Sequence, residues 1–459
     1  MSPAVVQKRE FYPVAIVGGG IAGITLALSF EKLGIRYILY EGHASLAPDQ
    51  GASIGLLPNG LRILDQLGLV KEIEKHTAAL QRWFHLGAEG EPLSTVHALG
   101  YYESKLGYGG LFLERQKLLR IMSKHIVNTD AIRTSAQVVS LQETSDYVTL
   151  TASDGSEVDV GLVIGADGVR SCVRDAIERA LFAKDKVQSD TYMRTRFACV
   201  YGVSPPVSGI AEGDCFSVYR ERATILGFTG KNGTIFWFVF EDLGHALPLS
   251  QSPRYTAADV EGVCRAVADV QVLPGIPFKN ILANRKVAVK VALEEGLAPT
   301  WHSDRMVIVG DAAHKMVPNA AMGANQAIES SAVLVNEIGR ILQDSSDTAS
   351  PRETLQTALR HYTVTRQPRT REISERAGIV CRAQLCHGGP AATVLQELPS
   401  LSDSDWLFRG FMGFSDAPVL EAIDLTARGQ FYDRAIQGFW KRLKARQNED
   451  NAALFDIAI

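Results

Sequence analysis

The chain has 459 residues, 46% of them apolar and 21% charged, with a formal net charge of −4. This is the profile of a soluble α/β protein long enough for two closely packed domains, and it gives no reason to expect nucleic acid or acidic membranes as partners. Six cysteines do not make a disulfide framework at this length, and Cys381, Cys386 and His387 lack the spacing of a zinc site, so no metal is expected.

In chain order, Val14–Val17 reads as a strand, Gly20 to about Lys32 as a helix, and Tyr37–Tyr40 as a second strand ending on Glu41. Helical patterns follow at Gly60–Gln66 and from Arg115 to about Ile126. Ala136–Leu141 and Tyr147–Ala152 read as a hairpin with Asp154-Gly155 as its turn, and Val158–Ile164 as a return to the core sheet. Thr195–Val203, Phe216–Tyr219, Ala223–Phe228 and Thr234–Phe240 then look like successive antiparallel strands, with Lys231-Asn232-Gly233 as a turn. Met306–Val309 is a further buried strand, Glu353–Ala377 a long helix, and roughly 416–446 a final helical stretch.

Three separated stretches describe one ligand. Gly18, Gly20 and Gly23 offer the tight turn, close backbone approach and helix–strand contact that a dinucleotide pyrophosphate needs, and the helix beginning near Gly20 points its free N–H groups at it. Glu41 is placed to accept from ribose hydroxyls. Some 290 residues later the strand before Gly310-Asp311 runs into Pro318 and a small-residue stretch that opens a helix at about Ala324. A nicotinamide dehydrogenase rarely returns to its cofactor so late, whereas an extended FAD has to be held at both ends. Asp167 either binds the cofactor or caps the strand–loop corner.

Together with Asp167-Gly168, Ser171, Val173 and Arg174, these motifs resemble the single-component FAD-dependent monooxygenases that include para-hydroxybenzoate hydroxylase, over residues 12–375. GASIGLLPNGLRILDQLGL, which contains Gly55, and GDAAHKMVPN look most similar to fungal epoxidases of indole-diterpene, meroterpenoid and prenylated indole alkaloid pathways. The resemblance implies an α/β fold: a Rossmann-like FAD-binding domain with an inserted, mainly antiparallel β-sheet substrate domain and a helical C-terminal region. The expected boundaries are 1–184 and 296–375 for the FAD domain, 185–295 for the substrate domain and 376–459 for the C-terminal region. The cofactor residues implied are Gly18, Gly20, Gly23, Glu41, Gly55, Arg115, Asp167, Asp311, Pro318, Gly323 and Ala324. One departure stands out: Ala321-Met322-Gly323 occupies the place of a Gly-Gln-Gly.

The resemblance implies bound FAD, NADPH or NADH as a transient reductant, and O₂. The favoured reaction is epoxidation of the indole 2,3-bond of a prenylated indole alkaloid, followed by semipinacol rearrangement to a spirooxindole. Alternatives are epoxidation of a prenyl chain, hydroxylation of a phenol, a flavin-dependent reductase or dehydrogenase, and a non-catalytic prenyl-binding protein. Arg194 and Arg196 fall on one face of a strand read at period two, so Arg194 is the expected electrostatic catalyst, aided by Arg196 and by Asp49 before the GASIGLLPN loop. His314 is a weaker candidate general acid. A small molecule is the only partner implied. The N-terminus has no secretory core and no apolar stretch reaches the ~18–20 residues that span a bilayer. A cytoplasmic chain is expected, with Phe439 and Trp440 as the candidate peripheral membrane contact.

Overall fold

The computed structural model describes residues 9–48, 51–182, 189–343 and 350–447. At its centre is a five-stranded parallel sheet in the order Met306–Ile308, Val163–Gly165, Val14–Val17, Tyr37–Tyr40, Ile132–Arg133. The first four strands are continuously apolar because helices and loops bury both faces, as parallel sheets require. Helices Ile21–Leu33 and Gly323–Gln343 pack on each other beside this sheet, and the contact depends on small residues. A methyl added at Gly310 would lie 3.3 Å from both the Ala22 and Ala327 methyls, and Ser331 Oγ donates to the Ala22 carbonyl at 3.3 Å.

Beside it lies an eight-stranded sheet: His314–Lys315, Val287–Leu297, Arg194–Ser204, Ile235–Pro248, Ala223–Thr229, Asp214–Val218, Arg82–Leu86, Pro92–Val96. Its pairings are antiparallel except that of Asp214–Val218 with Arg82–Leu86. The four expected strands are present, with Arg194–Ser204 pairing with Ile235–Pro248 rather than with Asp214–Val218, and they are extended by two strands from earlier in the chain and two from later. One of its faces packs on helices through Val200, Trp237 and Val263; the other carries Phe197, Cys199, Leu226, Phe238 and Phe240.

Several sequence expectations are corrected. Val138–Glu143 and Val148–Ala152 do pair as a hairpin, but Asp154-Gly155 joins the second of these to Glu157–Val160. Val158–Ile164 is two strands in two sheets, Glu157–Val160 and Val163–Gly165, separated at Gly161, whose amide donates to the Tyr12 carbonyl. The long helix runs Arg352–Gln384, and the final stretch is helical only at Ala427–Gln447, preceded by the helix Asp403–Phe414. Asp416, Pro418 and Asp424 lie in the non-helical link, where the proline lacks the donor a helix needs. These C-terminal elements pack firmly. Gln66 bonds backbone of Leu420 and Ile423, and Arg62 reaches the Ala417 carbonyl and Asp433. Phe439 is buried against Phe411 and Phe408, at ring-centroid distances of 5.2 and 5.7 Å, so it is not available as a membrane contact. Among the described residues no helix is long and apolar enough to cross a membrane.

Candidate functional site

The glycine turn after Val14–Val17 is shaped by backbone crowding. Gly18 has φ +104, and a methyl there would stand 2.4 Å from the Ala166 carbonyl oxygen; one at Gly23 would stand 1.9 Å from the Gly18 oxygen. The Gly19 amide donates to Glu41 Oε2 at 2.7 Å, while Glu41 Oε1 accepts from the His43 amide at 2.8 Å. Glu41 therefore ties the turn to the end of the second strand and stands outside the cavity wall.

From this turn a cavity of about 340 Å³ runs between the two sheets. At one end are Gly20, Ile21 and Ala22, the opening of helix Ile21–Leu33, with Arg115 beside them. Its wall also includes Gly55, Asp311, Lys315, Pro318, Ala321, Gly323 and Ala324, and an apolar, largely aromatic part made by Phe112, Tyr201, Leu226, Phe228, Phe238, Phe240 and Leu293. Burial pulls the Arg115 guanidinium below its usual range, against the attraction of Asp311 and Glu41. No hydrogen bond joins its side chain to another described residue. A half-buried, forked, permanently charged donor next to a helix N-terminus is suited to a pyrophosphate.

Asp311 follows its strand directly. Its carboxyl lies deep in the fold but open to the cavity, and Lys315 Nζ donates to Oδ2 at 2.6 Å. Burial would raise its pKa; Lys315, and after it Arg115, more than reverse this and hold it ionised. The loop carrying it is fixed from below by Arg174, almost wholly buried, which donates to the carbonyls of Ala312 (3.0 Å) and Val169 (2.7 Å). Fully buried Asn325 ties together Gly55, Leu57 and Ala321. Ala321 adopts φ +53, the left-handed conformation for which a glycine is the usual residue, and its methyl occupies the space that Gly55 leaves free, 2.9 Å from where a Cβ would sit.

Of the expected cofactor residues, Gly20, Gly55, Arg115, Asp311, Pro318, Gly323 and Ala324 line the cavity, and Gly18 and Gly23 shape its end. Asp167 does not line it: Oδ2 accepts from the Val173 amide at 3.2 Å, capping helix Cys172–Phe182. Arg194 and Arg196 are also away from the wall. Arg194 is exposed at the strand's start, and Arg196 pairs with Asp242 Oδ2 at 3.0 Å and lies 3.3 Å from His387 Nε2. The period-two reading fails because the register shifts between Thr195 and Phe197, leaving Arg196 as the extra residue of a bulge. Asp49 lies outside the described residues. His314 is fully buried, hydrogen-bonded through Nε2 to Ser330 Oγ at 2.8 Å, and pulled down to about 4 by burial and Arg366; it is neutral and does not line the cavity. Lys315, Tyr201, Asn325 and the phenylalanine wall were not singled out in the sequence. Only Lys315 left a signal there, four residues after Asp311.

Residues 11–377 match the FAD binding domain family. The FAD-dependent monooxygenase atmM of Aspergillus flavus is 34% identical over 381 residues, which are 82% of this chain and 79% of that protein. The FAD-dependent monooxygenase janM of Penicillium janthinellum is 36% identical over 382 residues, 83% and 79% of the two chains. This chain belongs to the FAD-dependent monooxygenases. Solved structures share the fold: HpxO of Klebsiella pneumoniae, complexed with FAD and uric acid (TM-score 0.70, 21% identity, covering 88% of this chain and 97% of that one), and CtdE in complex with FAD and a substrate (0.65, 20%, 95% and 100%). The cavity fits FAD on its own terms: a methyl-free turn at a helix N-terminus, a guanidinium with no hydrogen-bond partner among the described residues, and an ionised carboxylate at a second strand end.

Proposed function

We propose that this monooxygenase inserts one oxygen atom into an electron-rich C=C bond of a bulky, uncharged substrate, with the indole 2,3-bond of a prenylated indole alkaloid as the best candidate. A prenyl-chain alkene is the second. One observation carries the reading: part of the cavity wall is apolar and aromatic, and among the described residues it offers no base. Phe112 and Phe228 stack at 4.3 Å between centroids, and Phe238 stands edge-on to both at 6.1 and 6.2 Å. Such a wall recognises flat or isoprenoid hydrocarbon surface and rejects charge. Hydroxylation of a phenol gains from removing the phenolic proton. The titratable groups described on this part of the wall are Tyr201 and Cys199, and burial raises the pKa of both, so neither accepts a proton near neutrality.

FAD, once reduced by NADPH or NADH, supplies the chemistry of O₂ activation. The chain's residues do the rest. Gly20, the following helix and Arg115 hold the pyrophosphate, Asp311 accepts from the hydroxyl-bearing chain, and the phenyl wall orients the alkene and keeps water out. The balance is substrate + O₂ + NAD(P)H + H⁺ giving epoxide + NAD(P)⁺ + H₂O, and semipinacol rearrangement of an indole epoxide would follow without further oxidant. The test is to supply ¹⁸O₂, FAD and NADPH or NADH with a neutral prenylated indole and, in parallel, a phenol of similar size. A product heavier by one ¹⁸O from the indole is expected. Oxidation of the phenol with the indole untouched would overturn the reading.

A further inference from the structure

Three charged side chains line the cavity among the described residues: Arg115, Asp311 and Lys315. The first two are accounted for as cofactor-binding groups, but Lys315 is not. It sits on the two-residue strand His314–Lys315, at the edge of the eight-stranded sheet, where Lys315 pairs with Gly296 and His314 with Leu297. That pairing fixes its backbone at the seam between the two sheets. Its ammonium lies on Asp311 Oδ2 at 2.6 Å, while burial, which would discharge it, is outweighed by the attraction of Asp311 and then Glu294, so its pKa is raised. Lys315 therefore stays charged and cannot act as a proton donor near neutral pH.

The position of the charge matters more than its presence. Arg115 is beside Gly20, with Nη2 3.8 Å from where a Gly20 Cβ would lie, so its charge faces the two negative charges of a pyrophosphate. Lys315 lines the same cavity through an ammonium held on Asp311, the carboxylate assigned to the hydroxyl-bearing chain that joins the pyrophosphate to the ring. A cofactor whose chain is held by Asp311 brings its redox-active ring within Coulombic reach of that ammonium. Summed over the three side chains the wall carries +1; without Lys315 it carries zero.

We propose that Lys315 sets the reduction potential of the bound cofactor, its fixed positive charge favouring reduced over oxidised FAD. The proposal rests on FAD occupying this cavity. In the reductive step a nicotinamide donor gives up a hydride: its C–H bond breaks, an N–H bond forms on the flavin, and the donor leaves as the oxidised cation. Two electrons and one proton arrive together, so the flavin gains one unit of negative charge. A cation held in a water-poor cavity stabilises that product with little reorganisation. Lys315 acts here through its charge alone.

The test uses the FAD-loaded protein with Lys315→Gln, which keeps a hydrogen bond to Asp311 but no charge, and Lys315→Arg, which keeps both. Midpoint potentials are read at fixed pH by equilibration with a reference dye, and Kd values are measured separately for oxidised and reduced FAD. In Lys315→Gln, reduced FAD should lose about tenfold more affinity than oxidised FAD, equivalent to a potential lower by about 30 mV for a two-electron couple. Lys315→Arg should restore the parent value. If Lys315→Gln does not fold, Lys315→Met gives the same reading. Equal losses in the two states, or an unchanged potential, would overturn the proposal and leave Lys315 as a structural partner of Asp311. Failure of the parent protein to bind FAD would overturn both this proposal and the cofactor reading beneath it.

Discussion

Replacing Glu329 by Gln should cost more than any other single change in the helix that opens at the cavity. Glu329 is fully buried in Gly323–Gln343 and accepts from Asn59 Nδ2 (2.7 Å), Arg366 Nη1 (2.9 Å) and Arg369 Nε and Nη2 (2.7 and 2.9 Å). Burial alone would raise its pKa, but Arg369 and then Arg366 and Asn59 bring it down to about 2, from 4.5. That difference is worth about 3 kcal/mol of stability. Because the folded-state value is the depressed one, the stabilisation is complete above pH ~4.5 and is lost as pH falls toward ~2. Glu329→Gln also strands two arginines, one of them almost fully buried, so the loss at pH 7 should be about 3–5 kcal/mol. Urea unfolding followed by tryptophan fluorescence, for parent and variant between pH 7 and 3, measures the gap. It should be widest near neutrality and close on acidification. A gap below about 1 kcal/mol, or one that does not change with pH, would show that the buried triad is not held by charge.

Gly23→Ala puts a methyl 1.9 Å from the Gly18 oxygen, and should give protein that no longer retains FAD after gel filtration; a yellow variant would refute the crowding argument. Asp311→Ala should weaken FAD by one charge-assisted interaction, about 1.5–3 kcal/mol or roughly 10–150-fold in Kd by flavin fluorescence. Arg174→Met leaves the Ala312 and Val169 carbonyls without their donor, and should lower stability by about 1–3 kcal/mol while also weakening FAD through the Asp311 loop. Unchanged FAD affinity there would show that the loop holds its shape without the arginine.

What could be read from the sequence was local. Strand, glycine turn, helix and acid are adjacent in the chain, and Gly23 answers a steric demand made by its near neighbour Gly18, whereas the demand on Gly18 comes from Ala166, far along the chain. The same adjacency identified Asp311, an acid following a buried strand. Asp167 has the same local appearance, and there the sequence could not choose between capping and binding. The choice depends on where the carboxyl points, and it points at the amide of Val173.

The substrate end was not legible, because it is made by pairing between strands. Cys199 opposes both Phe240 and Val291, Tyr201 opposes Phe238, and Leu226 opposes the same Phe238 from the other side. No spacing along the chain reveals that these residues share a face; the strand register does, and a slip of one residue would turn every ring to the opposite face. The arginines show the converse. Arg194 and Arg196 look alike at period two, but the one-residue bulge before Phe197 breaks the alternation and directs Arg196 to Asp242, away from the cavity wall. With those guanidinium groups placed elsewhere, the positive charge that the described residues bring to the cavity wall is that of Arg115, beside the glycine turn, and Lys315, on Asp311. A wall that combines ionic groups with a phenyl surface suits the proposed reaction, since the charged groups would grip the cofactor while the rings would hold a neutral alkene.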